Sequence, residues 1–241
     1  MPAPPKSVLI IDDDEMSRDL LALLLSAEGH TVHAEPSGDA ALRHLESNPA
    51  PGVVLTDMQM PGQTGAALAF ALRTSASGAR IIAMSGSRPS EKDAAAFDAL
   101  LLKPFSVADF NAALEPALES AHSAAATNAA LNPATFSNLT AAMPQQQLQQ
   151  LYVICLDDTR KRIARMRAAA SKTDDATFRR EAHAIKGSCG MLGAAHLQSL
   201  AGQMEASGIP NPNAPTVLAE FLKACDELES ILKQHFAPSI P

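Results

Sequence analysis

Two kinds of hydrophobic spacing divide this chain. In the first half, short aliphatic stretches recur without polar interruption, as in Val8-Leu9-Ile10-Ile11 and Val53-Val54-Leu55. Helical spacings separate them: Met16, Leu20, Leu24 and Ala27 run up to Gly29, and Ala41 and Leu45 follow a capping Ser37. Unbroken apolar runs belong to strands buried on both faces, and intervening helices supply the cover. The pattern predicts strands over Val8 to Ile11, Thr31 to Glu35, Val53 to Asp57, Arg80 to Met84 and Ala99 to Leu102. A last helix is predicted from Val107 to Glu119, with Ser106 as its N-cap.

From Pro133 onward the strand pattern disappears. Apolar positions three and four apart predict helices over 134–141, 145–170, 175–189 and 195–207, and a last one through Leu218, Phe221, Leu222, Leu228, Ile231 and Leu232. Helices of this length joined by short loops predict an antiparallel bundle. Between the halves lies an Ala/Ser-rich stretch that suits a tether. The expected class is therefore α/β plus all-α. A doubly wound, five-stranded parallel sheet fills residues 6–119, a linker 120–132, and a four-helix bundle 133–236.

Composition narrows this picture. At 241 residues each half can bury its own core, and with no Trp and one Tyr those cores must be aliphatic. No apolar run is long enough to cross a bilayer, and Met1-Pro2-Ala3-Pro4-Pro5-Lys6 lacks the apolar stretch of a signal peptide. Cys155, Cys189 and Cys225 form no CxxC, so neither a disulfide framework nor a zinc site is expected, and a cytoplasmic location follows. Residues 1–122 hold 8 Lys+Arg against 16 Asp+Glu, and the remainder 11 against 10. The basic run Arg160-Lys161-Arg162, with Arg165 and Arg167, shares a helix with the apolar face of Leu148, Leu151, Cys155, Ile163 and Met166. It is expected to be a solvated helix face, so neither nucleic acid nor membrane is expected as a partner.

The candidate chemistry follows from the topology. In a parallel sheet, functional groups gather beyond the carboxyl ends of the strands. Asp12 and Asp13 follow the first strand, Asp57 ends the third, Ser85 follows the fourth and Lys103 the fifth. Carboxylates brought together repel by about 4 kcal/mol per pair at about 4 Å and an effective dielectric near 20. Such a cluster requires a cation, and hard oxygen ligands point to Mg²⁺. Asp57 would then act as a nucleophile toward phosphorus, with Lys103 and the Ser85 hydroxyl holding phosphoryl oxygens. Taken alone, Asp12-Asp13-Asp14-Glu15 would be only an acidic helix start.

In the second half, Phe178, Ala182, Ile185 and Cys189 form a core stripe that leaves His183, Lys186 and Gly187 on another face. Glycine inside a helix costs about 1 kcal/mol relative to alanine, so an unforced Gly187 would be odd. Its use would be clearance beside His183, with Lys186 supplying positive charge. Taken alone, His183 would be an ordinary surface histidine.

The spacing of Asp13, Asp57, Ser85 and Lys103-Pro104-Phe105, with Pro61 and Gly65, makes residues 6–119 resemble a response-regulator receiver domain of flavodoxin-like fold. The resemblance implies that Asp13 and Asp57 bind the metal directly and Asp12 through water, with the Gln59 backbone carbonyl as a further ligand. It also implies a cis Lys103–Pro104 bond, places Gln59 and Ser87 where the rate of phosphate loss is tuned, and puts Leu100 where the family often has an aromatic switch residue. The stretch Ala182-His183-Ala184-Ile185-Lys186-Gly187-Ser188, continuing to Leu192-Gly193, makes residues 130–236 resemble a histidine-phosphotransfer (Hpt) domain. There Glu205 matches the residue that accepts a hydrogen bond from the phosphorylated ring.

Together these resemblances imply a two-component phosphorelay protein, a phosphotransfer intermediate rather than a small-molecule enzyme. A hybrid sensor histidine kinase would phosphorylate Asp57, and His183 would exchange phosphoryl groups with Asp57 or with receiver domains of other response regulators. The chain shows no Gly-rich nucleotide loop through which His183 could be charged from ATP. Two other outputs remain open: a binding-type response regulator whose bundle is a docking module, and a phosphate sink that drains a kinase.

Overall fold

The computed structural model describes residues 6–86, 88–115, 130–210 and 213–236. The chain forms two compact units, Met1–Ser123 and Ala124–Pro241. In the first, β1 (Ser7–Ile11), β2 (Thr31–Glu35), β3 (Val53–Asp57), β4 (Arg80–Ser85) and β5 (Ala99–Leu102) form a parallel sheet in the order β2-β1-β3-β4-β5. Register is fixed by pairs such as Ile10↔Leu55, Leu55↔Ile82 and Ile82↔Ala99.

The unbroken apolar runs have a direct cause. Leu9, Ile11, Val54, Ile81 and Ala83 share one face, in a core with Ala41, Leu45, Leu68 and Leu72 from α2 (Gly38–Ser47) and α3 (Gly65–Ser75). Their neighbours Val8, Ile10, Val53, Leu55, Ile82 and Met84 alternate to the opposite face and are equally buried. The helices α1 (Glu15–Ala27) and α5 (Val107–Ala113) cover that side, with Leu20 and Phe110 fully buried. Leu100 is partly buried against the core on the α2–α3 side.

Caps explain where the helices begin. The side chains of Asp14, Ser37 and Ser106 accept from the backbone of Ser17, Ala40 and Asp109, and Ser106 with Asp109 forms a full capping box. The expected stop at Gly29 and the N-caps at Ser37 and Ser106 agree with these boundaries.

Besides α3, over which no helix was expected, two features of this unit differ from the expectation. The last helix of this unit ends at Ala113 rather than running toward Glu119. Arg80 takes the Ala113 and Glu115 carbonyls at 2.7 and 3.0 Å, and the chain there tightens into three-residue turns. Pro116 follows, and the residue before a proline is disfavoured in the helical region. The second difference is α4, a single turn at Glu91–Ala94 with no buried residue, which no periodicity announced. Ser87, residues 116–119 of the expected helix and residues 120–129 of the expected linker lie outside the described residues.

The second unit holds α6 (Pro133–Ala142), α7 (Gln145–Ser171), α8 (Asp175–Met191), α9 (Ala195–Ser207) and α10 (Ala214–His235). Asn132 caps α6 through the amides of Ala134 and Thr135, with Pro133 in the first turn. Three-residue turns join α7 to α8 and α8 to α9, and α10 packs on both α7 and α9. The bundle core departs from the aliphatic expectation: beside Leu148, Ile163 and Met166 of α7 and Ile185 of α8 it buries the aromatic rings of Tyr152 of α7, Phe178 of α8 and Phe221 of α10. Cys155, Cys189 and Cys225 are free and buried in it. Among the basic residues of α7, Arg160 pairs with Asp226 and Glu229, Lys161 with Asp157, Arg162 with Asp158 and Glu181, and Arg165 with Glu181. Among the described residues, no helix is long and apolar enough to cross a membrane.

Two candidate phosphoryl-acceptor sites

The parallel register delivers the first site. Because β1, β3, β4 and β5 all run the same way, Asp12, Asp57, Ser85 and Lys103 emerge at one edge, where the Lys103 amide donates to the Ser85 carbonyl at 2.7 Å. Asp12, Asp57, Ser85 and Lys103 are all buried. The Lys103 ammonium bridges the carboxylates, at 2.5 Å from Asp57 Oδ2 and 3.0 Å from Asp12 Oδ2. The peptide bond after it, Lys103–Pro104, is cis.

The remaining carboxylate oxygens are also engaged. Asp57 Oδ1 accepts the Gln59 backbone N–H at 2.8 Å. Asp12 Oδ1 accepts the Asp14 N–H, while its Oδ2 also accepts the Ser17 hydroxyl. Arg18 donates to the Asp12 carbonyl at 2.8 Å. Ser17 and Arg18 were not anticipated from the sequence. They lie at the fifth and sixth positions after Asp12, where the first turns of α1 bring them back over the strand end.

Charge balance follows from this geometry. Burial pushes Lys103 down, but Asp12 and Asp57 together outweigh it and hold the ammonium well above the usual lysine range. Burial also raises the Asp12 carboxyl, aided by Asp57 and opposed by Lys103. Asp13 sits on the exposed side and is raised by partial desolvation and by the charges of Asp12 and Asp57. One lysine thus bridges two of three carboxylates that each place one oxygen within 4.8 Å of the others, a donor set of hard oxygens that suits a divalent cation. Ser85 ends β4 beside this cluster, and Gln59 is held against it through its backbone N–H.

The second site stands on α8. Phe178, Ala182, Ile185 and Cys189 are fully buried, and this stripe turns His183 and Lys186 toward α9. His183 Nδ1 lies 2.6 Å from Glu205 Oε1, and Lys186 Nζ lies 3.0 Å from Glu205 Oε2. Burial alone would raise the Glu205 carboxyl, but hydrogen bonds from His183 and Lys186 outweigh it and hold the group below the usual glutamate range. An ionised carboxylate only accepts, so Nδ1 must carry the proton in the neutral ring, and Nε2 then carries the lone pair. A Cβ built on Gly187 meets no atom within 4 Å, so internal packing does not demand the glycine. The stem of Lys186 instead lies over Gly202 of α9, where a Cβ would sit 3.8 Å from its Cδ.

Comparison with known proteins agrees with this division. Residues 8–115 match the response regulator receiver domain, and residues 150–232 match the Hpt domain. The sensor protein EvgS of Escherichia coli (strain K12) is 25% identical over 235 residues, which is 96% of this chain and 19% of that protein. The regulatory protein AtoC of the same organism is 29% identical over 46% of this chain and 25% of its own length. The sensory transduction protein RegX3 of Mycolicibacterium smegmatis is 33% identical over 46% of this chain and 50% of its own length. The chain therefore spans between about a fifth and a half of these curated relatives. Among solved structures, a response regulator from Burkholderia pseudomallei with a phosphorylated aspartic acid, calcium ion and citrate is 28% identical, with a TM-score of 0.43 over 46% of this chain and 66% of that one. The response regulator TrrA from Thermotoga maritima, in complex with Mg²⁺-BeF, is 29% identical, with a TM-score of 0.39 over 42% of this chain and 88% of that one. With the sheet, the bundle and both matched segments in hand, residues 8–115 belong to the response regulator receiver family and residues 150–232 to the Hpt family.

Proposed function

We propose that this chain is a phosphorelay signalling protein in which Asp57 and His183 each carry a phosphoryl group transiently. One observation supports it above the rest: a single chain presents both a buried, lysine-bridged carboxylate and an imidazole oriented by a carboxylate. A lone acceptor can only receive; an oxygen acceptor and a nitrogen acceptor of comparable lability can pass the group in either direction.

In the receiver, an Asp57 oxygen attacks the phosphorus of a kinase phosphohistidine. The P–N bond breaks and its electron pair returns to the imidazole. Lys103 is already within ion-pair distance of Asp57 and is placed to follow the phosphoryl oxygens; Ser85 ends the adjoining strand and supplies a hydroxyl. Asp12, Asp13, Asp57 and the Gln59 carbonyl would hold Mg²⁺, which when bound offsets the repulsion between carboxylates and phosphoryl oxygens.

In the Hpt domain, His183 Nε2 attacks the phosphorus of a receiver's aspartyl phosphate, and the carboxylate leaves. Glu205 accepts the hydrogen bond from Nδ1–H, which stays on the ring, and stabilises the positive charge that develops there. Lys186 brings its charge to the same face. The open space at Gly187 leaves room for the incoming aspartyl phosphate. The partners implied are a histidine kinase, hybrid or otherwise, and receiver domains of other response regulators.

The test is labelling by a radiolabelled phospho-kinase with Mg²⁺ present. Aspartyl phosphate is lost in base and histidyl phosphate in acid, so the two labels separate chemically. Asp57→Ala should remove the base-labile label and leave His183 able to accept from an outside receiver. His183→Gln should do the reverse. Loss of both labels in Asp57→Ala would make transfer within the chain obligatory, and no label on either residue would defeat the proposal.

A further inference from the structure

The last turn of a helix leaves carbonyls without donors, and α9 meets this need with a residue from α8. Arg179 Nη1 donates to the Glu205 carbonyl at 2.5 Å and to the Ala206 carbonyl at 2.7 Å. The same guanidinium, through Nε, donates to Asp175 Oδ2 at 2.6 Å. Asp175 completes the bracket, its Oδ1 accepting the Ile209 N–H at 2.9 Å, just beyond the end of α9. The fit is close. A Cβ on Gly208, where φ is +74, would collide with Asp175 and Arg179 together.

Glu205 is thus held at both ends by α8. Its backbone carbonyl belongs to Arg179, and its carboxylate belongs to His183 and Lys186. Arg179 and His183 are four residues apart, so they lie on one face of α8 a single turn from each other. We infer that Arg179 is a positioning residue for His183: by pinning the Glu205 carbonyl to α8, it sets where the Glu205 carboxylate meets Nδ1, and through that the tautomer and aim of Nε2. This inference rests on the reading of His183 as a phosphoryl acceptor. It also gives a reason for arginine over lysine here. Two carbonyls and one carboxylate need donors diverging from a planar fork, which a single ammonium on a flexible stem does not supply.

A simple helix cap would look similar but act differently. It would change only stability, whereas a positioning residue acts through Glu205. The experiment uses the full chain with Arg179→Met, Arg179→Lys, Glu205→Ala and the double variant Arg179→Met/Glu205→Ala. ¹⁵N NMR of the His183 ring reads the tautomer, phosphoramidate serves as donor for the rate of His183 phosphorylation, and thermal unfolding reads stability. Arg179→Met is expected to move the ring from the Nδ1–H tautomer toward a mixture and to slow phosphorylation at least fivefold. In the Glu205→Ala background the same change should slow it no further. Arg179→Lys keeps the charge beside Asp175 and should reproduce most of the tautomer shift, which keeps the test valid should Arg179→Met fail to fold. The inference is overturned if folded Arg179 variants keep the wild-type tautomer and rate, or if Arg179→Met slows the Glu205→Ala protein by the same factor as wild type. Because the tautomer needs no donor, a wild-type His183 that never takes a phosphoryl group would defeat the proposed function and still leave the bracket tested.

Discussion

The receiver and the Hpt domain hold Asp57 and His183 by opposite means. Asp57 sits at a strand end with 3% exposure, and its neighbours come from strand ends far apart in sequence. What holds it is charge compensation in a buried place: one ammonium between the Asp12 and Asp57 carboxylates, with Asp13 beside them. His183 stands mid-helix with its side chain 19% exposed, and its partner is Glu205 on the next helix, whose other carboxylate oxygen takes Lys186 from one turn along α8. What holds it is helix packing plus a single hydrogen-bonded carboxylate. The receiver site should therefore fail when a charge is removed, and the Hpt site when its geometry or clearance is altered.

The two lysines make the sharpest test. Lys103→Met leaves Asp12 and Asp57 facing each other without a cation, and breaking a buried pair in this way costs about 3–5 kcal/mol. Lys186→Met breaks a pair whose side chains are 22% and 24% exposed, and solvent screening limits the loss to about 1 kcal/mol or less. Urea unfolding of each variant without Mg²⁺ measures the difference, and added Mg²⁺ should restore part of the Lys103→Met loss by replacing the missing positive charge. Equal costs for the two substitutions would erase the distinction drawn above.

Gly187 sharpens the comparison from the other side. Because a Cβ there meets nothing, Gly187→Ala should stabilise the Hpt domain by about 0.5–1 kcal/mol through helix propensity. The same variant should slow phosphoryl exchange with a receiver, and Gly187→Leu should slow it at least tenfold with the fold intact. Stability and transfer moving in opposite directions is the signature of a residue kept for clearance. Transfer unaffected by Gly187→Leu would remove that role.

How far these sites could be read in advance depended on which signals are local. The Asp12, Asp57 and Lys103 convergence was legible because a parallel sheet sends every strand's carboxyl end to one edge, so strand recognition alone collects the residues. Glu205 was reached only through family spacing, since nothing in the local pattern of α9 marks a residue that will face another helix. Ser17 and Arg18 on Asp12, and Arg179 on the end of α9, were not foreseen, because side-chain-to-backbone bonds leave no periodicity. Two helices went unassigned for physical reasons. In α3 the run Gly65-Ala66-Ala67-Leu68-Ala69-Phe70 is apolar on every side, and Phe70 is 76% exposed, which blurs the face that Leu68, Ala69 and Leu72 bury. α4 buries nothing, so no face existed to be read.

The smallest expected effect is the pH response of Glu205, and its sign is fixed by the geometry. His183 and Lys186 face the carboxylate from α8, while Arg179 engages its backbone carbonyl. Burial opposes ionisation, but the donors win and hold the folded-state carboxyl below the ordinary glutamate value of 4.5. A depressed folded value means the group stabilises the fold above the unfolded value, and the benefit vanishes as pH falls through the folded one. Comparing wild type with Glu205→Gln by urea unfolding should thus show a difference of about 1 kcal/mol or less near neutrality, shrinking to nothing as the pH drops well below 4.5. Added salt should shrink the neutral-pH difference too, because a partly exposed pair is screened. The Lys103 cluster, buried from solvent, should respond far less to salt. A Glu205 difference that grew on acidification would mean burial outweighs the donors, and the imidazole would then lack the ionised partner that fixes its tautomer.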